Sequence, residues 1–156
     1  MTCKIEPAQR ADIPRLVDLL NDLFGAELDF TADATHQTRG LELLIAEAAK
    51  NDRQTLAVAR DDQGRAIGMA SAQIVISTAE GAPSAWIEDV VVHSDYRRQG
   101  IGKLLLGHLL AWAKARGATR AQLVADKENQ SAELFYNGLG WQSTQLTVRR
   151  IFLDAK

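Results

Sequence analysis

The chain has a single cysteine among its 156 residues, Cys3. That excludes an intramolecular disulfide and a cysteine metal cluster, and one reduced thiol suits a cytoplasmic protein. Its three histidines, His36, His93 and His108, stand at spacings that suit no metal site, so no metal is expected. No apolar run approaches the ~20 residues of a membrane span, and the first residues lack the apolar core of a secretory leader. A soluble, unprocessed protein without a membrane partner is expected. An excess of one charge is missing too: 18 Lys and Arg against 20 Asp and Glu leave a formal net charge of -2. There is no global positive field of the kind nucleic-acid binding requires, so no nucleic acid is expected. Repeats, low-complexity segments and linkers are absent, and the length suits one domain over 1–156 with a sizeable core.

What is present is periodic. Ile5 sits in a short first strand. Asp12 is placed to cap a helix that tolerates Pro14 in its first turn, and Ile13, Leu16, Val17, Leu20, Leu23 and Phe24 then recur at helical spacing until Gly25. A polar loop over 26–35 carries Glu27, Asp29, Phe30 and Asp33. A second helix over 36–50 buries Leu41, Leu44, Ile45 and Ala48. Residues 55–59 alternate as a strand, 61–65 turn, and 66–77 return antiparallel. A further turn over 78–84 leads to an apolar strand at 86–92. Beyond it Ile101, Leu104, Leu105, Leu109 and Trp112 form the stripe of a third helix capped by Gly117. A strand at 121–125 makes a parallel pair across that helix, a fourth helix runs over 130–139, and strands from 141 to the end form a final hairpin. The expected fold class is mixed α/β, a sandwich of about seven strands and four helices.

The most informative segment joins the 86–92 strand to the third helix: Tyr96, Arg97, Arg98, Gln99, Gly100, Ile101, Gly102, Lys103. Its glycines present no side chain to an approaching anion, and its N–H groups open a helix whose positive dipole end faces the same point. Arg97, Arg98 and Lys103 add mobile positive charge. A P-loop is excluded, because Leu104 and not Ser or Thr follows the Lys and the glycines are two apart. A dinucleotide fingerprint is excluded because Leu105 stands where a third glycine belongs.

What remains, R-x-x-G-x-G at Arg97, Gly100 and Gly102, resembles the pyrophosphate-binding motif of the GCN5-related N-acetyltransferases (GNAT), which move acetyl from acetyl-coenzyme A to amines. The element order resembles that family over nearly the whole chain, and so does a second signature: Asn129, Ala132, Phe135 and Tyr136, followed by Gly140 and Trp141. The resemblance implies acetyl-coenzyme A as cosubstrate, with its pyrophosphate on residues 97–103. It also implies that Val90, Val91 and Val92 offer backbone groups to pantetheine and to the oxyanion, near a β-bulge where the strand splays from its parallel neighbour. Asn129 would meet the pantetheine amides, Ala132 would leave room for the arm, and Tyr136 would protonate the departing thiolate. A phenol of pKa ~10 donates to a thiolate of pKa ~8.5 at modest cost.

Glu88 and Asp89 stand together in the otherwise apolar 86–92 strand. Alternation sends adjacent strand residues to opposite faces, so one of them at most is a base. An ammonium of pKa ~10 must lose a proton before attack; Glu88, directly or through water, is the expected base. Asp89 then orients the amine or holds the strand ends. The paired acids ahead of the cradle look most like the diamine and polyamine branch of the family. Glu27, Asp29 and Phe30 on the first interhelical loop are candidate contacts for a cationic acceptor. Tyr96 reads as a packing anchor for the cradle. The expected function is acetyl transfer to a primary amine, a small molecule in preference, by direct attack in a ternary complex. The alternatives are a non-catalytic coenzyme A sensor and a protein lysine or N-terminal acetyltransferase. The C-terminal alternation of Leu146, Val148, Ile151 and Phe152 with Thr147, Arg149 and Arg150 is a candidate edge for a homodimer.

Overall fold

The computed structural model describes residues 2–153. The chain forms two compact units, 1–123 and 124–156. The first holds one five-stranded sheet in the order β1-β2-β3-β4-β5, with β1 Lys4–Pro7, β2 Gln54–Arg60, β3 Ala66–Ser77, β4 Ala82–Val92 and β5 Arg120–Leu123. The first four strands are antiparallel and β4 pairs with β5 in parallel. Its helices are α1 Ile13–Ala26, α2 Ala34–Lys50 and α3 Ile101–Ala115. The second unit holds α4 Gln130–Gly138.

Helix α1 forms where the apolar spacing predicts, with Ile13, Leu16, Val17 and Leu20 buried; Leu19 joins them at 0% exposure. These side chains pack with Leu41 of α2 and with Leu56, Val58, Met69 and Val91 of the sheet. Residues of the opposite alternation, such as Gly68, turn to α3, where Leu105 lies. So α1 and α2 cover one sheet face and α3 the other. The α3 stripe is Ile101, Leu105, Leu106, Leu109 and Ala113. Leu104, expected inside, is exposed, because a row stepping by four from Ile101 leaves position 104 on the flank. Trp112, also expected inside, is half-buried, with the Arg116 guanidinium 4.5 Å above its ring.

Asp12 plays a different part from the expected one. A short 3-10 turn, Arg10–Asp12, precedes α1, and the Asp12 carboxylate accepts from the Gln9 N–H at 2.7 Å instead of capping α1. It also receives two hydrogen bonds from the Arg60 guanidinium at 2.7 and 2.8 Å, which hold its carboxyl below the usual range. The start of α1 is thereby tied to the end of β2. Asp33 caps α2 by accepting from His36 N–H at 2.9 Å.

The expected final hairpin does not form: among the described residues 141–153 are irregular, and 154–156 lie outside them. This accounts for five strands in place of about seven. An alternating pattern makes a strand only where a hydrogen-bonded neighbour takes its backbone groups, and a lone hairpin is marginal in water. Leu146, Val148, Ile151 and Phe152 are exposed as a result.

Gly68 sets how closely α3 approaches the sheet. A Cβ at that position would lie 3.0 Å from the Val91 carbonyl oxygen and 3.2 Å from Leu105 Cδ1. Backbone oxygen does not yield as a side chain does, so Gly68→Ala is expected to destabilise the protein by about 1–3 kcal/mol, as overpacking does. Thermal unfolding followed by circular dichroism checks this, with the midpoint falling by several degrees.

Candidate active site

Strand β4 changes character halfway along. Residues 84–87 pair with 120–123 of β5, and that pairing ends at Ile87 and Leu123. On its other side Glu88 pairs with Ser71 and Val91 with Met69, so two residues, Asp89 and Val90, stand opposite Ala70 alone. This is a β-bulge, and Asp89 takes φ +54° within it. Asp and Asn tolerate this left-handed backbone better than most residues.

The bulge overturns one expectation. Strict alternation separates Glu88 from Asp89, yet both border one cavity of about 480 Å³, together with α1, α2 and the α1–α2 loop. Glu88 is exposed and its Oε1 accepts from the Trp86 indole N–H at 2.8 Å. Asp89 is half-buried; desolvation, then the charges of Glu88 and Glu27, push its carboxyl up to about 6. An acid with that pKa is in its basic form near neutral pH and close to the proton-transfer optimum.

Of the loop candidates, Phe30 lines the cavity and its ring lies 5.2 Å from Phe24. Glu27 acts on Asp89 through its charge, while Asp29 is outside the described lining. Gln54, Ser71, Gln73 and Glu47 also border the cavity, and no sequence motif marks them. Their only sequence signal is polar character at positions 54, 71 and 73 inside otherwise apolar strands.

Past Val92 the chain enters a second 3-10 turn, Ser94–Tyr96, which His93 caps by accepting from the Asp95 N–H at 3.3 Å. Arg97 Nε donates to the Val92 carbonyl at 2.9 Å, folding the loop back on the strand. Arg98 at φ +61° and Gly100 at φ +80° then turn the chain into α3. Two left-handed residues this close keep 98–103 from continuing any strand, and none of the N–H groups of 98–103 has an acceptor among the described residues. They open the first turn of α3, with the positive end of the helix behind them. Tyr96 is the anchor expected of it: its hydroxyl accepts from Arg65 at 2.8 Å and donates to Asp61 at 3.3 Å. Burial pushes the Asp61 carboxyl up, but the N–H groups and guanidinium of Arg65 outweigh it and hold the group below its usual range.

In the second unit, Asn129 caps α4, its Oδ1 accepting from Ala132 N–H at 3.1 Å. Tyr136 is half-buried, edge-on to Phe135 at 5.1 Å and to Trp141 at 5.9 Å. The Gly140 and Trp141 turn closes on Tyr136, whose carbonyl accepts from Trp141 N–H. Among the described residues no group of three acidic, His or Cys side chains is placed to hold a metal ion, and no helix is long and apolar enough to cross a membrane.

The acetyltransferase (GNAT) family model matches residues 13–141, and the chain belongs to that family. An aminoglycoside N(6')-acetyltransferase type 1 of Acinetobacter genomosp. 13 is 31% identical over 94 residues, which cover 58% of this chain and 64% of that protein. The ribosomal protein bS18-alanine N-acetyltransferase of Escherichia coli is 31% identical over 87 residues, 56% of this chain and 53% of that protein. The chain thus spans less than two thirds of the length of these curated relatives. A crystal structure described as a transcriptional regulator from Bacillus halodurans superposes with a TM-score of 0.81 at 26% identity, covering 97% of this chain and 100% of that one.

The raised pKa of Asp89 has a consequence for stability. A carboxyl whose folded pKa lies above its unfolded value favours the fold while protonated, and that contribution is lost as pH rises from about 4 through about 6. Asp89→Asn keeps a neutral side chain that accepts the left-handed backbone. It is expected to stabilise the protein by about 1–2 kcal/mol at pH 8, after allowance for solvent screening, and by almost nothing at pH 4. Urea unfolding at the two pH values measures the difference.

Proposed function

We propose that the protein transfers an acetyl group from acetyl-coenzyme A to a primary amine of a small molecule by direct attack in a ternary complex. One observation carries the reading: β4 leaves its parallel partner, bulges to set Asp89 into a cavity, and then runs into a loop of acceptor-free N–H groups. A candidate base and a phosphate cradle are thus carried by one strand and the loop that follows it. The cradle suits a pyrophosphate, since no atom lies within 4 Å of a Cβ placed at Gly100 and the first-turn N–H groups need an anion or water.

When bound, acetyl-coenzyme A supplies the activated acyl carbon and a thiolate leaving group. Residues 97–103 hold its pyrophosphate, and Val90, Val91 and Val92 offer backbone groups along the edge of β4 that β5 no longer covers. Asp89 serves as base in this reading and Glu88 orients the amine. The burial of Asp89 and its pKa near 6 support that exchange of roles, as does the engagement of Glu88 with Trp86. Tyr136 protonates the thiolate, with Asn129 and Ala132 beside the pantetheine arm. The cavity of about 480 Å³ is the size of a small-molecule site, which favours such an acceptor over a protein chain. A homodimer covering Leu146, Val148, Ile151 and Phe152 belongs to the same reading, and a solution mass of two chains checks it.

Amine-dependent release of free thiol tests the activity; tight coenzyme binding with no such release would instead identify a sensor. The kcat/KM is expected to rise with pH through an ionisation near 6. Asp89→Asn removes that limb and lowers kcat/KM about 100-fold or more, the usual weight of a general base. Glu88→Gln retains the limb. Tyr136→Phe lowers turnover while coenzyme affinity stays near that of the unaltered protein; unchanged turnover would end its assignment as the acid.

A further inference from the structure

The middle of β3 runs Ala70, Ser71, Ala72, three buried residues on the strand between β2 and β4. By alternation the two alanines turn to the α3 face and Ser71 to the α1 and α2 face, where it borders the cavity that holds Asp89. Alanine would leave the same room there, so the hydroxyl is what Ser71 adds. Ser71 is 3% exposed, and a buried hydroxyl is unfavourable unless it is hydrogen-bonded. Its Oγ donates to the Glu88 carbonyl at 3.2 Å, across the last pair before the bulge.

The place of that bond matters. The Glu88 carbonyl belongs to the peptide unit that leads into Asp89, so holding it fixes one of the two peptide planes whose relative rotation directs the Asp89 side chain. The other plane leads on to Val90 and Val91, where pairing with Met69 resumes. Between these fixed points Asp89 takes φ +54°, a backbone that a residue with a Cβ keeps only where its surroundings impose it. Glu88 is held at its side chain as well, since its Oε1 accepts from the Trp86 indole N–H at 2.8 Å.

We infer that Ser71 is a positioning residue: its hydroxyl locks the Glu88 carbonyl and so aims the Asp89 carboxyl into the cavity. The inference rests on the reading of Asp89 as the base and adds the group that sets its direction. The loop over 97–103 is fastened elsewhere, by Arg97 to Val92 and by Tyr96 to Asp61 and Arg65, so Ser71 acts on the base and not on the cradle. Without the hydroxyl the Glu88 carbonyl turns freely, Asp89 leaves its left-handed backbone, and its carboxyl moves toward water. Burial is the largest cause that raises this group to about 6, so its pKa then falls. The other titratable groups about it are Glu88 on β4, Glu27 at the end of α1, Asp33 at the start of α2, and His36 and Glu47 on α2. A change at Ser71 alters none of them.

Carbon-13 NMR titration of the aspartate carboxyls, with the Asp89 resonance assigned by its loss in Asp89→Asn, is the test, alongside kcat and coenzyme A affinity. Ser71→Ala is expected to lower the Asp89 pKa by about half a unit or more and kcat about tenfold, with coenzyme A affinity within about twofold of the unaltered protein. Ser71→Thr keeps a hydroxyl on a side chain suited to strands and should leave the Asp89 pKa at about 6. An Asp89 pKa unchanged in Ser71→Ala would overturn the inference, as would an equal shift in Ser71→Thr, or a fall in coenzyme A affinity as large as the fall in kcat. The titration needs no turnover. A shift confined to Ser71→Ala, with thiol release from acetyl-coenzyme A absent or unchanged, supports the hold of Ser71 on Asp89 and overturns, respectively, the acetyl-transfer reading or the assignment of Asp89 as base.

Discussion

The extra residue that β4 places opposite Ala70 is the constraint on which the remainder of the site depends. An inserted residue in an antiparallel pair breaks the alternation, bends the strand and ends regular pairing nearby. Here it turns Asp89 toward a cavity that alternation would deny to one of two adjacent acids. The same bend coincides with the end of pairing to β5. Without it, β4 would be an ordinary central strand with both edges occupied and one of its carboxylates among the packed side chains on the α3 side.

The cradle is held by different means. Gly100 adopts a backbone that any side chain would strain, and Arg98 adopts a similar one despite its side chain. Such a loop persists because its surroundings over-determine it. Arg97 is fastened to the Val92 carbonyl and Tyr96 to the Asp61 and Arg65 pair at the β2–β3 turn. An anion arriving there meets N–H groups already aimed at it, so little ordering remains to oppose binding.

Electrostatically the two regions are opposed. Arg97, Arg98 and Lys103 surround the cradle, whereas the cavity wall carries Asp33, Glu47, Glu88 and Asp89 with no Lys or Arg among its described residues. Negative and positive groups are thereby drawn to different places by one chain of nearly balanced charge. The crowding of Glu27, Glu88 and Asp89 that raises the Asp89 pKa is the other side of the same arrangement. It disfavours the ionised form of Asp89, a cost that any positive charge placed beside it would relieve.

Most of the element order was legible in the residues, because helix and strand periodicity is a local property. The α1 stripe, the β2–β3 turn and the loop ending at Gly100 needed only neighbouring positions. The misreadings share a cause. Asp12 binds Arg60, which is 48 residues away, in preference to capping its own helix. The alternation at 146–152 has no paired neighbour among the described residues and stays irregular. What the sequence alone determined was the glycine-bearing basic loop that opens α3, since two glycines, a basic run and a following helix are properties of adjacent backbone units. What tertiary structure decided was the cavity: Gln54, Ser71, Glu47 and both acids become neighbours only through strand register, helix packing and one unpaired residue. Those are relations between distant segments, and no local pattern encodes them.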